Sequence, residues 1–326
     1  MATVAVIGAG AVGCYYGALL ARAGHDVRFL MRRDLEAVRK GGLDIRSPRG
    51  DFRLKPVAAF GSPEEIGPVD WVVCSLKATA IEHAQRLVAP CMGAGTRVLA
   101  LMNGLGVEER FAAWFGGERV FGGMAFVCIN RGDPGTVCHL EYGRVSIGHY
   151  EDDPAQTEAL RALLASGGIE VVVAPNLRFA RWEKLCWNVP FNGLSVAAGG
   201  VGTQSILADE ALSRIAENAM REVVAASNAD LVAAGSAARL DAGQVVEAMF
   251  AQTRVIGDYR TSMVIDYVLE RELEVEAILG EPSRRARALG VATPTIDALY
   301  GLVRAADRHR RGEAPVLTPD DVKGQW

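Results

Sequence analysis

Three glycines near the start of the chain, in Gly8-Ala9-Gly10-Ala11-Val12-Gly13, have the spacing that lets a backbone wrap a pyrophosphate. Gly8 permits the tight turn, Gly10 lets the main chain approach the phosphates, and Gly13 lets the following helix pack against the preceding strand. The unpaired N–H groups and positive partial charge at that helix's N-terminus favour an anion. The spacing alone is common. Here it has its full context: an apolar strand at 4–7, an alanine-rich helix, and a second apolar strand over 27–32. A unit that prefers NAD usually ends this second strand with Asp or Glu, which holds the ribose 2′-hydroxyl. This one ends Met31-Arg32-Arg33, and arginine is planar, permanently charged and suited to phosphate. NADP(H) is therefore expected over NAD, with Arg32 as the contact, although Asp34 stands next door.

Lys77 and Asn103 each follow an apolar strand, at 69–76 and 96–102. In open parallel sheets, ligands sit beyond the carboxyl ends of the strands, so topology places both residues at the cofactor edge. A solvated loop lysine and a turn-forming Asn-Gly pair are the plainer readings. Further on, Lys184, Asn188 and Asn192 are spaced four apart, which puts them on one helical face. Asparagine is a poor helix-interior residue, so two beside a lysine suggest a polar site. A solvated stripe on a surface helix fits the same spacing equally well. Pro190 kinks a helix, which leaves Asn192 less securely aimed than Asn188.

Length and patterning predict the strands and helices that carry these residues. The 326 residues suffice for two domains. Strands and helices alternate up to Pro175, after which the chain reads as nearly all helical. This predicts an α/β fold: a Rossmann-like dinucleotide-binding domain over 1–175 and an all-helical substrate-binding and dimerisation domain over 176–326. In the first, a hairpin is expected around Ser47-Pro48-Arg49-Gly50-Asp51, and short β segments at 120–129, 137–140 and 145–147. Asp153-Pro154 opens a helix that Gly167-Gly168 ends. In the second, helices are expected over 207–234, 245–256 and 263–279, the last with Ser262 on its N-cap side, and a final helix from Thr293-Pro294, with threonine as the cap. The tail after Gly312 is expected to be loose.

A net charge of −4 with no basic run argues against nucleic acid. No apolar stretch is long enough to span a bilayer, and the first residues read as a strand and turn, not a leader. The six scattered cysteines read as small apolar residues of a cytoplasmic protein, and the histidines lack ligand spacing, so no metal is expected.

Taken in order, these stretches resemble the ketopantoate reductase (2-dehydropantoate 2-reductase) family along nearly the whole chain. The likeness rests on Gly8-x-Gly10-x-x-Gly13, Leu76-Lys77-Ala78, Asn103-Gly104-Leu105-Gly106, Lys184-Leu185-x-x-Asn188-x-x-x-Asn192, Ser262-Met263, Glu274 and Arg284-Arg285-Ala286-Arg287-Ala288. The resemblance implies NADPH-dependent reduction of 2-dehydropantoate to pantoate, a step of pantothenate and CoA biosynthesis, by a cytoplasmic homodimer. It implies that Lys184 is the proton donor and Glu274 the active-site acid. It implies substrate contacts from Asn103, Asn188, Asn192 and Ser262, and cofactor contacts from the glycine turn, Arg32, Lys77 and Asn103. The chain departs from the family pattern at Leu273, at Leu279-Gly280, at Pro282, which should interrupt a helix, and at 199–203. A relative acting on another branched 2-oxo acid and a non-catalytic NADPH-binding sensor are the alternatives. Lys184 together with Glu274 speaks against the sensor.

Overall fold

The computed structural model describes residues 1–315, 321 and 323, so the expected loose tail falls largely outside the described residues. Two compact units emerge, Met1–Arg181 and Trp182–Trp326. The change expected at Pro175 lies just ahead of a helix, Leu177–Ala197, and the division between units falls inside that helix.

The first unit is built on ten strands: β1 (Thr3–Ile7), β2 (Asp26–Leu30), β3 (Leu43–Arg46), β4 (Phe52–Leu54), β5 (Ala58–Phe60), β6 (Val69–Cys74), β7 (Met92–Ala100), β8 (Val120–Arg131), β9 (Thr136–His149) and β10 (Val171–Val173). They hydrogen-bond in the order β4-β3-β9-β8-β7-β6-β1-β2-β5, with β10 beside β9. From β5 through β8 every pairing is parallel. Parallel sheets are covered on both faces, and the strands show it. Val4 and Val6 belong to one apolar cluster with Tyr16, Leu20 and Phe29, and Ala5 and Ile7 belong to the opposite one with Val72, Val98 and Phe111. This is the period-2 alternation of a strand with two buried faces. Each fully buried valine or isoleucine contributes about 1.5–3 kcal/mol.

The expected hairpin forms, with Leu43 opposite Leu54 and Ile45 opposite Phe52, and it extends the sheet beyond β9. The segments expected at 137–140 and 145–147 are one long strand, β9, antiparallel to β8 across the Asp133-Pro134-Gly135 turn. Left-handed backbone at Tyr142 and Gly143 and register shifts in the pairing break the alternation, so the strand reads as two pieces.

The second unit is helical, and three expected helices are corrected. The one expected over 207–234 divides into Thr203–Ala208 and Glu210–Ala233, because the Asp209 carboxylate accepts the Ala211 and Leu212 N–H groups and starts a new helix. The one expected over 263–279 stops at Val268. Its cap is Thr261, whose hydroxyl accepts the Val264 N–H at 3.2 Å. At its far end the N–H of Glu270 bonds to Tyr267 O, and that of Arg271 to Asp266 O, with Glu270 at φ 54°. That is a Schellman closure with glutamate in the place glycine usually takes. The chain becomes helical again in a π turn, Glu276–Gly280, which runs into Glu281–Ala288. Pro282 therefore does not end the helical run; it falls directly after the π turn, where the run returns to α-helical turns.

The last helix, Pro294–Arg310, follows Thr293 as expected, but threonine is not the cap. The Glu222 carboxylate accepts the Thr295 and Ile296 N–H groups at 3.0 and 2.9 Å. Glu222→Ala should lower unfolding stability by about 0.5–2 kcal/mol, the range for losing a helix cap. An unchanged urea midpoint and slope would show that water caps this helix as well as the carboxylate does.

Candidate active site

Strand register brings the sequence-marked residues of the first unit to one edge. Ile7 pairs with Leu30 on one side and Cys74 on the other, and Cys74 pairs with Ala100. The segments leaving these parallel strands therefore emerge side by side: Gly8 after β1, Met31-Arg32 after β2, Ser75 to Lys77 after β6, and Leu101 to Asn103 after β7. Strand order reverses between β1 and β6, the switch point where open α/β sheets bind ligands.

At that point the glycine turn has three different surroundings. Gly8 has φ 95°, and a Cβ there would lie 2.6 Å from the Leu76 amide nitrogen. Gly13 is as crowded: a Cβ would press on Ser75 Oγ and stand 2.5 Å from Gly8 O. Gly10 opens outward, with the nearest such atom at 3.9 Å. A side chain at Gly10 would thus hit nothing in the protein and would fill only the space a ligand needs. The next helix, Ala11–Arg22, has neither a side-chain cap nor an acid in its first turn. Its leading N–H groups lack intrahelical partners. An open cradle with unpaired donors fits the pyrophosphate of a dinucleotide. Sequence reading missed Ser75, whose hydroxyl donates to Gly8 O at 2.8 Å and fixes the turn.

The second strand's end separates its charges. Arg32 is exposed and makes no ion pair with a described residue. Asp34 is buried, and Arg131 both hydrogen-bonds and ion-pairs with it, with Arg33 Nε 3.5 Å away. Burial alone would raise the Asp34 carboxyl, but the Arg131 guanidinium and the Gly135 N–H hold it below the usual carboxylate range. The acid that could have competed for a ribose is occupied, and Arg131 came from a strand no local reading could connect to it. Lys77 is exposed, and Asn103 is half-buried. Beneath the turn, burial pushes the Cys14 thiol up to about 12, which leaves it an inert packing group.

In the second unit the lysine-bearing helix answers the question its spacing left open. Asn188 is 7% exposed and Asn192 1%, so this face is not a solvated stripe; Lys184 is half-buried. Trp182, Leu185, Cys186, Val189 and Phe191 are core residues of the same helix. Trp182 Nε1 donates to Asp230 at 2.8 Å and Trp187 Nε1 to Thr253 at 3.0 Å, which fixes the helix's rotation. Pro190 does not loosen the turns beyond it. The helix continues to Ala197, and Asn192 Oδ1 accepts the Met263 N–H at 3.1 Å. That bond brings Asn192 to the start of the helix Ser262–Val268, whose first residue, Ser262, is exposed. Ser195, one turn further on, is fully buried with its hydroxyl unpartnered. Glu274 is 7% exposed and stands outside any helix. It is held from both sides, because Asp307 accepts the Leu273 N–H and Glu274 O accepts the Ile278 N–H, each at 3.1 Å. Burial raises the Asp307 carboxyl despite that N–H and Arg311. Among the described residues no group of three or more His, Cys, Asp or Glu could hold a metal, and no helix is long and apolar enough to cross a membrane.

Comparison with known proteins gives this arrangement a family. A family model described as ketopantoate reductase PanE/ApbA matches residues 4–152, and one described as ketopantoate reductase PanE/ApbA C terminal matches 176–307. The chain belongs to the ketopantoate reductase family. It is 37% identical over 319 residues to a 2-dehydropantoate 2-reductase of Nostoc sp., covering 96% of this chain and 98% of that one. A protein of the same name from Mesorhizobium japonicum is 29% identical over 324 residues, covering 92% and 96%. The crystal structure of 2-dehydropantoate 2-reductase from Geobacter metallireducens superposes with a TM-score of 0.89 at 42% identity, covering 93% of this chain and 99% of that one. The chain thus has the family's architecture, a Rossmann-like unit followed by a helical one.

Proposed function

We propose that the chain reduces ketopantoate to pantoate with NADPH. The observation that carries this reading is the polar face of a core helix on which half-buried Lys184 stands with buried Asn188 and Asn192, in a chain of this family. Desolvating two amides beside a lysine is costly unless a polar partner meets them. Asn192 has one such partner in the Met263 N–H, and a 2-oxo acid would add others through its carboxylate and carbonyl.

When bound, NADPH supplies the hydride that converts the 2-oxo carbon to an alcohol. Gly8, Ala9, Gly10, Ala11, Val12 and Gly13 would hold its pyrophosphate and Arg32 its 2′-phosphate, with Lys77 and Asn103 as further cofactor contacts. Lys184 stabilises the negative charge that develops on the ketone oxygen and donates a proton to it. Asn188, Asn192, Ser262 and Asn103 bind and orient the substrate. Glu274 positions the reacting groups. The Met263 N–H occupies one acceptor position of Asn192, which leaves the asparagine's NH2 group as its donor toward a ligand's oxygens.

Steady-state NADPH oxidation against a panel of 2-oxo acids tests the reading. Ketopantoate should have the highest kcat/KM. A larger value for another branched or bulky 2-oxo acid would reassign the substrate, and tight NADPH binding with no turnover of any of them would make the protein a sensor.

The same reading includes a cytoplasmic homodimer formed through the helical unit. Val232, Val255, Val268, Leu269 and Leu302 are exposed apolar side chains there, and they support it. Sedimentation at micromolar concentration should give twice the 34.8 kDa chain mass. A single species at the chain mass would remove the dimer.

A further inference from the structure

We infer that Arg181 is a positioning residue that clamps the Asn103-Gly104-Leu105-Gly106 turn from both flanks, with Glu108 as the other jaw. Both side chains are deeply buried, each residue 3% exposed. Arg181 Nη2 donates to Ala100 O at 3.1 Å, and Nη1 donates to Met102 O. Ala100 is the last residue of β7, and Met102 directly precedes Asn103. On the other side, Arg181 Nε donates to Glu108 Oε1 at 2.8 Å, and Nη2 bonds to the same oxygen. Glu108 lies in the first turn of the helix Val107–Phe115, directly after the turn. One guanidinium therefore grips the strand that enters the turn and the helix that leaves it.

The turn itself is rich in glycine. Gly104 and Gly106 have φ 95° and 83°, and no side chain caps the helix after them. Two glycines among four residues leave the backbone much freedom. A planar fork with five donors can satisfy two carbonyls and a carboxylate together, which a lysine ammonium on a flexible stem cannot do with the same geometry. The sheet also makes room for the jaw. A Cβ at Gly122 of β8 would overlap Glu108 Oε1, so glycine there lets the carboxylate reach Arg181. A buried ion pair adds little net stability, because desolvation offsets the Coulomb attraction. Its contribution here is the fixed direction of Asn103.

The inference rests on the proposed contact of Asn103 with nicotinamide and substrate. It is tested by double-mutant cycles pairing Arg181→Lys, and separately Glu108→Gln, with Asn103→Ala. The hydride step is read by single-turnover NADPH oxidation, and NADPH Kd by fluorescence. Arg181→Lys should slow the hydride step by about tenfold or more, since small misplacements at a reacting centre cost that much. In the Asn103→Ala background the same change should cost less than about twofold. Full multiplication of the two effects would overturn the clamp, because general loosening of the fold acts equally in both backgrounds. Should Arg181→Lys fail to fold, Glu108→Gln, which keeps the shape and an acceptor, carries the same cycle. If the unmutated protein turns over no 2-oxo acid, the proposed function fails on its own, and the cycle on NADPH Kd decides the clamp: coupled losses support it, independent ones overturn it.

Discussion

Lys184→Ala should lower kcat by about 10²–10⁴-fold, the usual contribution of a positioned proton donor. NADPH affinity should stay within a few-fold, because the glycine turn and Arg32 are untouched. The structure motivates this beyond the residue's type. Lys184 is half-buried on a helix locked by Trp182 and Trp187, one turn from the buried Asn188. Its ammonium is thus presented from a rigid element, the arrangement that the proposed proton donation requires. Lys184→Arg should not restore the rate, since the charge remains but arginine does not release a proton near neutral pH. Glu274→Ala should behave differently: a positioning acid lost should appear more in KM than in kcat. The decisive measurement is the hydride step at saturating substrate with deuterated NADPH. Near-normal kcat in Lys184→Ala, with a full isotope effect, would assign the proton to another group or to water.

Arg32→Ala should weaken NADPH by about 10- to 100-fold, corresponding to the ~1.5–3 kcal/mol of a charged hydrogen bond. NADH should be almost unaffected, so the ratio of the two dissociation constants is the readout. Arg32 leaves β2 exposed, directly after Met31, whose N–H is fixed to Phe60 O at 2.9 Å. The neighbouring acid, Asp34, is buried and paired with Arg131. A cationic guanidinium therefore stands where an acid would select the unphosphorylated ribose. Equal losses for both cofactors would mean that Arg32 does not meet the 2′-phosphate.

The chain declares its dinucleotide-binding frame locally. Alternating apolar residues at 4–7 specify a strand, and the glycines at 8, 10 and 13 specify the turn and the close packing after it. Arg32, two residues beyond the second strand, is the local signal behind the expectation of a phosphorylated ribose. These are local signals, because strand alternation, glycine spacing and helix caps act over a few residues. The order of strands is less directly legible, and the register that aligns Ile7, Cys74 and Ala100 needed the sheet itself. Three matters were decided only by tertiary structure. Whether Asn188 and Asn192 face solvent depends on the groups that pack over them, and spacing carries no information about that. Where the acidic helix ends depends on a glutamate in a left-handed conformation that propensity disfavours, so an unbroken pattern from 263 to 279 hides a closure and a π turn around Glu274. The charge partnerships Asp34–Arg131 and Glu108–Arg181 join residues 97 and 73 positions apart. Their energetics come from shared burial, which arises only once the sheet has formed.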